Sequence, residues 1–93
     1  AGRRAAHLVS GRMLDYIEFD DDFAIAKMRP PKETHGFTLA ESDIRAKYGV
    51  SVVGIKSPGE EFTYADPSTR IHSRDILIVS GQVELIERFA ARP

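Results

Sequence analysis

The stretch from Gly36 to Lys56 constrains this chain more than any other. Thr38 with Glu41 three residues later has the spacing of a capping box, in which hydroxyl and carboxylate each satisfy a free backbone N–H at a helix start. Gly49 stands where a left-handed residue would end that helix. Between them Leu39, Ile44 and Tyr48, with Ala40 and Lys47 beside them, supply one buried stripe, so the spacing predicts a helix over Thr38 to Tyr48. Val50 to Ile55 is a β-branched run, the composition of a strand. A helix that breaks at one glycine and passes straight into a strand fits a small α+β domain.

With 93 residues there is room for one core and no second domain. Five more elements follow from local pattern. Arg4 to Tyr16 carries Ala5, Leu8, Val9, Met13 and Tyr16 at helical spacing and predicts an N-terminal helix, weakened by Gly11, which costs about 1 kcal/mol relative to alanine. Phe23 to Met28 predicts a strand, stopped by Pro30-Pro31. Ser57-Pro58-Gly59 predicts a turn joining the Val50 strand to a short partner at Glu61–Tyr64. Asp75 to Val79 is too apolar to have a solvent face and predicts a central strand ended by Gly81. A last helix follows, with Val83, Ile86, Phe89 and Ala90 on one face. The expected fold is thus a small mixed sheet covered by helices.

Charge and motif content narrow the function. Thirteen Lys and Arg against fourteen Asp and Glu give a net charge of -1, so no global field draws the chain to a nucleic-acid polymer or an anionic membrane. With no cysteine there are no disulfides or thiolate metal ligands, which is compatible with the reducing cytosol. No apolar run approaches the roughly 18 residues of a membrane span. Neither G-x-G-x-x-G nor G-x-x-x-x-G-K-[ST] occurs, which excludes a dinucleotide-binding Rossmann unit or P-loop within this stretch. His7, His35 and His72 fall in different predicted elements and share no metal-ligand spacing. Glu18, Asp20, Asp21 and Asp22 lack the calcium-loop pattern with its glycine and read as a solvated turn. The serines have no nucleophile elbow and no Asp/His pairing, so the chain is not expected to be an enzyme.

Arg45, near the end of the capped helix, leaves two readings open. It and Asp43 are either a solvated pair worth a few tenths of a kcal/mol, or the start of an anion site. In the second case the arginine offers bidentate contact to phosphate, and the adjacent apolar strand with Ser51 floors a purine pocket.

Leu14-Asp15-Tyr16-Ile17-Glu18, Asp43-Ile44-Arg45-Ala46-Lys47-Tyr48-Gly49 with the strand after it, the Pro67 turn, and Asp75-Ile76-Leu77-Ile78-Val79-Ser80-Gly81 together resemble the RCK C-terminal (TrkA-C) domain of the Ktr and Trk regulatory subunits of bacterial potassium uptake. The resemblance runs from about Leu14 to Phe89. It implies that residues 1–16 are a crossover or linker helix from a missing nucleotide-binding half, and that residues 17–93 are the regulatory domain. The absence of an initial Met agrees with a piece of a longer protein. It further implies a cytoplasmic homodimer, peripheral to the inner face of the plasma membrane, that gates a membrane potassium transporter subunit and binds cyclic di-AMP between two copies. Carried over by position, Arg45 meets phosphate and Asp43 helps to fix it. Leu39, Val50 and Pro67 pack on the adenines, and Ser51 stands where ligand-binding relatives typically have Asn. His72 approaches the same cleft, and Arg74 replaces a usual glycine. The alternative is a dimerisation and coupling module with no ligand of its own, whose effectors bind only the missing half. In both cases the apolar surface of Val50, Val52 and Val53 and the helix stripe exceeds what one small sheet hides, which predicts a two-fold dimer.

Overall fold

A computed structural model describes residues 12–93. Five strands form one sheet: β1 (Met13–Glu18), β2 (Phe23–Met28), β3 (Ser51–Lys56), β4 (Thr63–Tyr64) and β5 (Ile76–Gln82), in the spatial order β1-β2-β5-β3-β4. Every neighbouring pair is antiparallel, so the sheet is not mixed as expected. β5 is the central strand, and β3 and β4 form the expected hairpin. Among the described residues, three α-helices, α1 (Leu39–Ser42), α2 (Ile44–Tyr48) and α3 (Val83–Ala91), and a 3-10 turn at Lys32–Thr34 complete the fold.

One face of the sheet makes the core. Ala24, Ala26 and Met28 on β2 and Leu77 and Val79 on β5 are buried beneath α3, which contributes Val83, Ile86, Phe89 and Ala90. The alanines leave room for the helix to lie close to the sheet, and its apolar residues follow the helical period that the sequence shows. The other face is more open: Ile17 is half exposed, and its cross-strand partner Ile25 is half-buried. β5 does not stop at Gly81. It runs to Gln82 and enters α3 directly, the junction held by Val83 N–H donating to the Asp22 carbonyl at 2.7 Å.

Two predicted helices come out differently. Residues 4–11 of the Arg4–Tyr16 helix lie outside the described residues, and Met13–Tyr16 belongs to β1. A register shift between Met13 and Asp15 is the reason. A bulge adds one residue, so Met13 and Tyr16, three apart, both face the core and imitate helical spacing. The Thr38–Tyr48 helix breaks in two at Asp43, whose φ of 51° and ψ of 43° are left-handed. The two ends of that predicted helix are as expected: the capping box is complete, Glu41 N–H to Thr38 Oγ1 at 3.1 Å and Thr38 N–H to Glu41 Oε1 at 2.8 Å, and Gly49 caps α2 with φ 77°.

The chain closes on itself at one corner. The Arg12 guanidinium donates to the Arg92 carbonyl at 2.8 Å and to the carbonyls of Phe89 and Arg29, and lies 5.7 Å from the Phe89 ring centre. Arg92 forms a two-pronged pair with Glu33, at 2.6 and 3.2 Å, and stacks 4.9 Å from the Tyr48 ring centre. Tyr48 in turn donates to Glu33 and packs 5.0 Å from Phe89.

Candidate ligand-binding groove

Four residues named from the sequence meet in one groove of about 290 Å³: Leu39, Arg45, Ser51 and Pro67. They come from α1, α2, β3 and the loop between β4 and β5, elements that local physics brings together. The backbone from Gly36 to Ala40 is zipped to the loop 67–71: Leu39 N–H donates to the Thr69 carbonyl at 2.8 Å and Ala40 N–H to the Pro67 carbonyl at 3.0 Å. Ile71 N–H and the Phe37 carbonyl, 2.9 Å apart, continue the ladder. This pins Pro67 opposite α1. The left-handed turn at Asp43 then redirects the chain, and α2 supplies Ile44 and Arg45 to the same groove. β3 closes it with Ser51 and Val52.

The groove is apolar-walled, with a few polar groups. Leu39, Ile44, Val52, Ala65 and Pro67 provide flat hydrocarbon surface; Arg45, Ser51 and Asp66 provide the polar contacts. Such a surface suits a ligand with both a planar apolar part and an anionic part. Asp66 is fixed before any ligand arrives. Its Oδ1 accepts from Ser68 N–H at 2.9 Å and from Ser68 Oγ at 2.7 Å, and the backbone bond holds its carboxyl below the usual carboxylate range, with help from the hydroxyl.

Three of the sequence-named residues lie elsewhere. Val50 is completely buried in the core and does not line the groove. Asp43 is exposed, and the fold uses its backbone: its N–H donates to the Leu39 carbonyl at 3.1 Å and its carbonyl accepts from Lys47 N–H at 2.9 Å. His72 is exposed and lines a separate depression with Ser57, Pro58, Arg70 and Arg74. Sequence reasoning missed Ala40, Ile44, Val52, Ala65 and Asp66 as groove residues. Only Asp66 carried a signal, as the first residue of an Asp-Pro-Ser turn.

Among the described residues, no three His, Asp or Glu side chains are grouped to hold a metal ion, and no helix is long and apolar enough to cross a membrane.

The chain is 41% identical over 93 residues to Ktr system potassium uptake protein C of Bacillus subtilis (strain 168), covering 99% of this chain and 42% of that protein. It is 27% identical over 85 residues to Ktr system potassium uptake protein A of the same strain, covering 91% of this chain and 38% of that protein. It therefore spans less than half the length of these curated relatives. Among solved structures, the KtrA regulator of conductance of K+ (RCK) C domain in complex with cyclic diadenosine monophosphate superposes with a TM-score of 0.65 at 31% identity, over 75% of this chain and 82% of that one. The GsuK RCK domain superposes with a TM-score of 0.68 at 21% identity, over 89% of this chain and 19% of that one, a likeness of fold alone. Residues 24–92 match the sequence model of the TrkA-C domain family, and the chain belongs to that family.

Proposed function

We propose that this domain is a cytoplasmic regulatory module of a Ktr/Trk-type potassium uptake system, that it homodimerises, and that it binds cyclic di-AMP in the groove at the dimer interface. The observation that carries this reading is the convergence of Arg45, Ser51, Leu39 and Pro67 from four elements on one apolar-walled groove. A solved relative with 31% identity over most of its own length is a complex with that nucleotide. A two-fold symmetric dinucleotide suits an isologous interface, because each copy offers the same residues to one half of the ligand. In this reading Arg45 meets phosphate, Leu39 and Pro67 pack on the adenine faces, and Ser51 bonds to a base edge. Val50 and Asp43 act indirectly, as core support and as the turn that aims α2. His72 takes no part unless the second copy brings it near. The role is gating of a transporter subunit rather than catalysis.

Calorimetry with cyclic di-AMP tests the reading. The wild-type domain is expected to bind one dinucleotide per two chains, and Arg45→Ala to lose at least tenfold in affinity, the scale of one charge-assisted contact of roughly 1.5–3 kcal/mol. Sedimentation of the same variant is expected to show an unchanged dimer. No binding by wild type would leave the second reading, a dimerisation and coupling module with no ligand of its own. Ser51, in place of the Asn typical of the ligand-binding relatives, is the residue that favours it. That module would show a melting temperature indifferent to cyclic dinucleotides, since a ligand that does not bind the folded state cannot stabilise it.

A further inference from the structure

We infer that Asp66 is a specificity residue of the groove: its free carboxylate oxygen accepts a hydrogen bond from the exocyclic 6-amino group of the bound purine. This rests on the reading of the groove as a cyclic dinucleotide site.

The groove carries a negative charge, Asp66, that phosphate binding does not need. Arg45 and Asp66 both line the groove, and a carboxylate there repels an anionic ligand. It contributes to binding only if the ligand also carries a hydrogen-bond donor, because an ionised carboxylate accepts and cannot donate. The adenine of a purine nucleotide has one such donor group on its outer edge, the 6-amino group. The apolar walls of Leu39, Ala65 and Pro67 match the flat faces of the same ring.

The local structure makes this acceptor rigid. Ser68 occupies Oδ1 with two donors, its N–H at 2.9 Å and its Oγ at 2.7 Å. Thr69 N–H closes the turn on the Asp66 carbonyl at 2.9 Å. The next residue, Pro67, is tied to α1 through Ala40 N–H at 3.0 Å. Asp66 cannot rotate to offer Oδ1 without breaking both Ser68 contacts, so a single oxygen, Oδ2, is available. One acceptor at a fixed place suits one amino group. It opposes a purine whose 6-position is a carbonyl, since two acceptors then face each other.

Asp66→Asn turns this into a directed test. The two Ser68 donors still require an oxygen at the Oδ1 position, so the amide nitrogen must take the place of Oδ2 and convert acceptor to donor at constant shape. Calorimetry is run with cyclic di-AMP and with cyclic di-IMP, which carries a 6-carbonyl in place of the 6-amino group. Wild type is expected to prefer cyclic di-AMP by about tenfold, from one hydrogen bond of about 1–1.5 kcal/mol. Asp66→Asn is expected to lose about tenfold on cyclic di-AMP and to erase or reverse the preference. Ser68→Ala, which frees the carboxylate to rotate, is expected to keep cyclic di-AMP binding but narrow the discrimination. Equal binding of both ligands by wild type would overturn the inference and leave the groove reading intact. So would an Asp66→Asn protein that binds cyclic di-AMP as well or better, which would make Asp66 a plain electrostatic cost. Failure of wild type to bind either dinucleotide overturns both.

Discussion

Val50 shows how far one residue can be misplaced by reasoning from neighbours. The family resemblance carries it over as a contact to the adenines, yet it is fully buried, and a Cβ at Gly81 would lie 3.3 Å from its Cγ1. Nothing in the one-dimensional pattern distinguishes a valine facing the core from one facing the groove, because strand alternation depends on where the register begins. Ser51 and Val52 line the groove, whereas Val50 just before them turns inward. The consequence is specific. Val50→Asp is expected to unfold the domain rather than report on the interface, since an unpaired charge would be buried. Val50→Ala is expected to cost about 1–3 kcal/mol by loss of two methyl groups and the space they leave. Urea denaturation of both, followed by circular dichroism, checks this. A folded Val50→Asp protein of normal stability would contradict the burial.

At the scale of elements, β2, β3, β5 and α3 were legible because their composition and apolar pattern are distinct and the chain ends β2 and β3 with clear punctuation: Pro30-Pro31 after β2 and Ser57-Pro58-Gly59 after β3. The two failures have one physical character, a single residue out of register. A bulge near Leu14 makes a strand look helical, and a left-handed Asp43 splits a helix whose caps were read correctly. Neither leaves a strong mark, because bulges use ordinary residues and aspartate is tolerated in helices and turns alike. Four of seven proposed ligand residues reached the groove, while Asp43 and His72 were displaced by turns that only the three-dimensional chain path reveals. Asp43 can be tested at its own scale. Asp43→Ala is expected to lose about 1 kcal/mol of stability because a Cβ without a local polar partner is disfavoured at positive φ, and Asp43→Asn is expected to be near neutral. Thermal melts separate this from a direct ligand role, which would instead appear as weaker nucleotide binding in Asp43→Asn at unchanged stability.

At the scale of the whole molecule, three carboxylates among the described residues are held below the usual range and shape the response to acid. Glu33 lies below the usual carboxylate range, chiefly through its hydrogen bond from Arg92; Glu41 does so chiefly through the Thr38 backbone, and Asp66 through the Ser68 backbone. A carboxylate with a lowered folded pKa stabilises above its unfolded value, near 4, and loses that contribution as pH falls through the folded value. The contribution of these three groups should therefore be constant from pH 8 to about 5 and decline below about pH 4. Glu33→Gln should melt lower than wild type at pH 7 and converge with it near pH 2–3; a difference that persists in acid would assign the loss to packing instead. All three groups are exposed, so the effect is a gentle slope rather than a collapse. The Arg12–Arg92 corner has a different kind of consequence, seen when the molecule is held under tension. Handles placed at positions 12 and 93 grip neighbouring points, with Lys32 N–H also donating to the Pro93 carbonyl at 2.9 Å. A pull there meets β1, an edge strand, from its open end and draws its hydrogen bonds apart one after another, like a zip, instead of loading them together in shear. Tension delivered at that corner would detach β1 at low force, long before it strained the strand and helices that frame the groove.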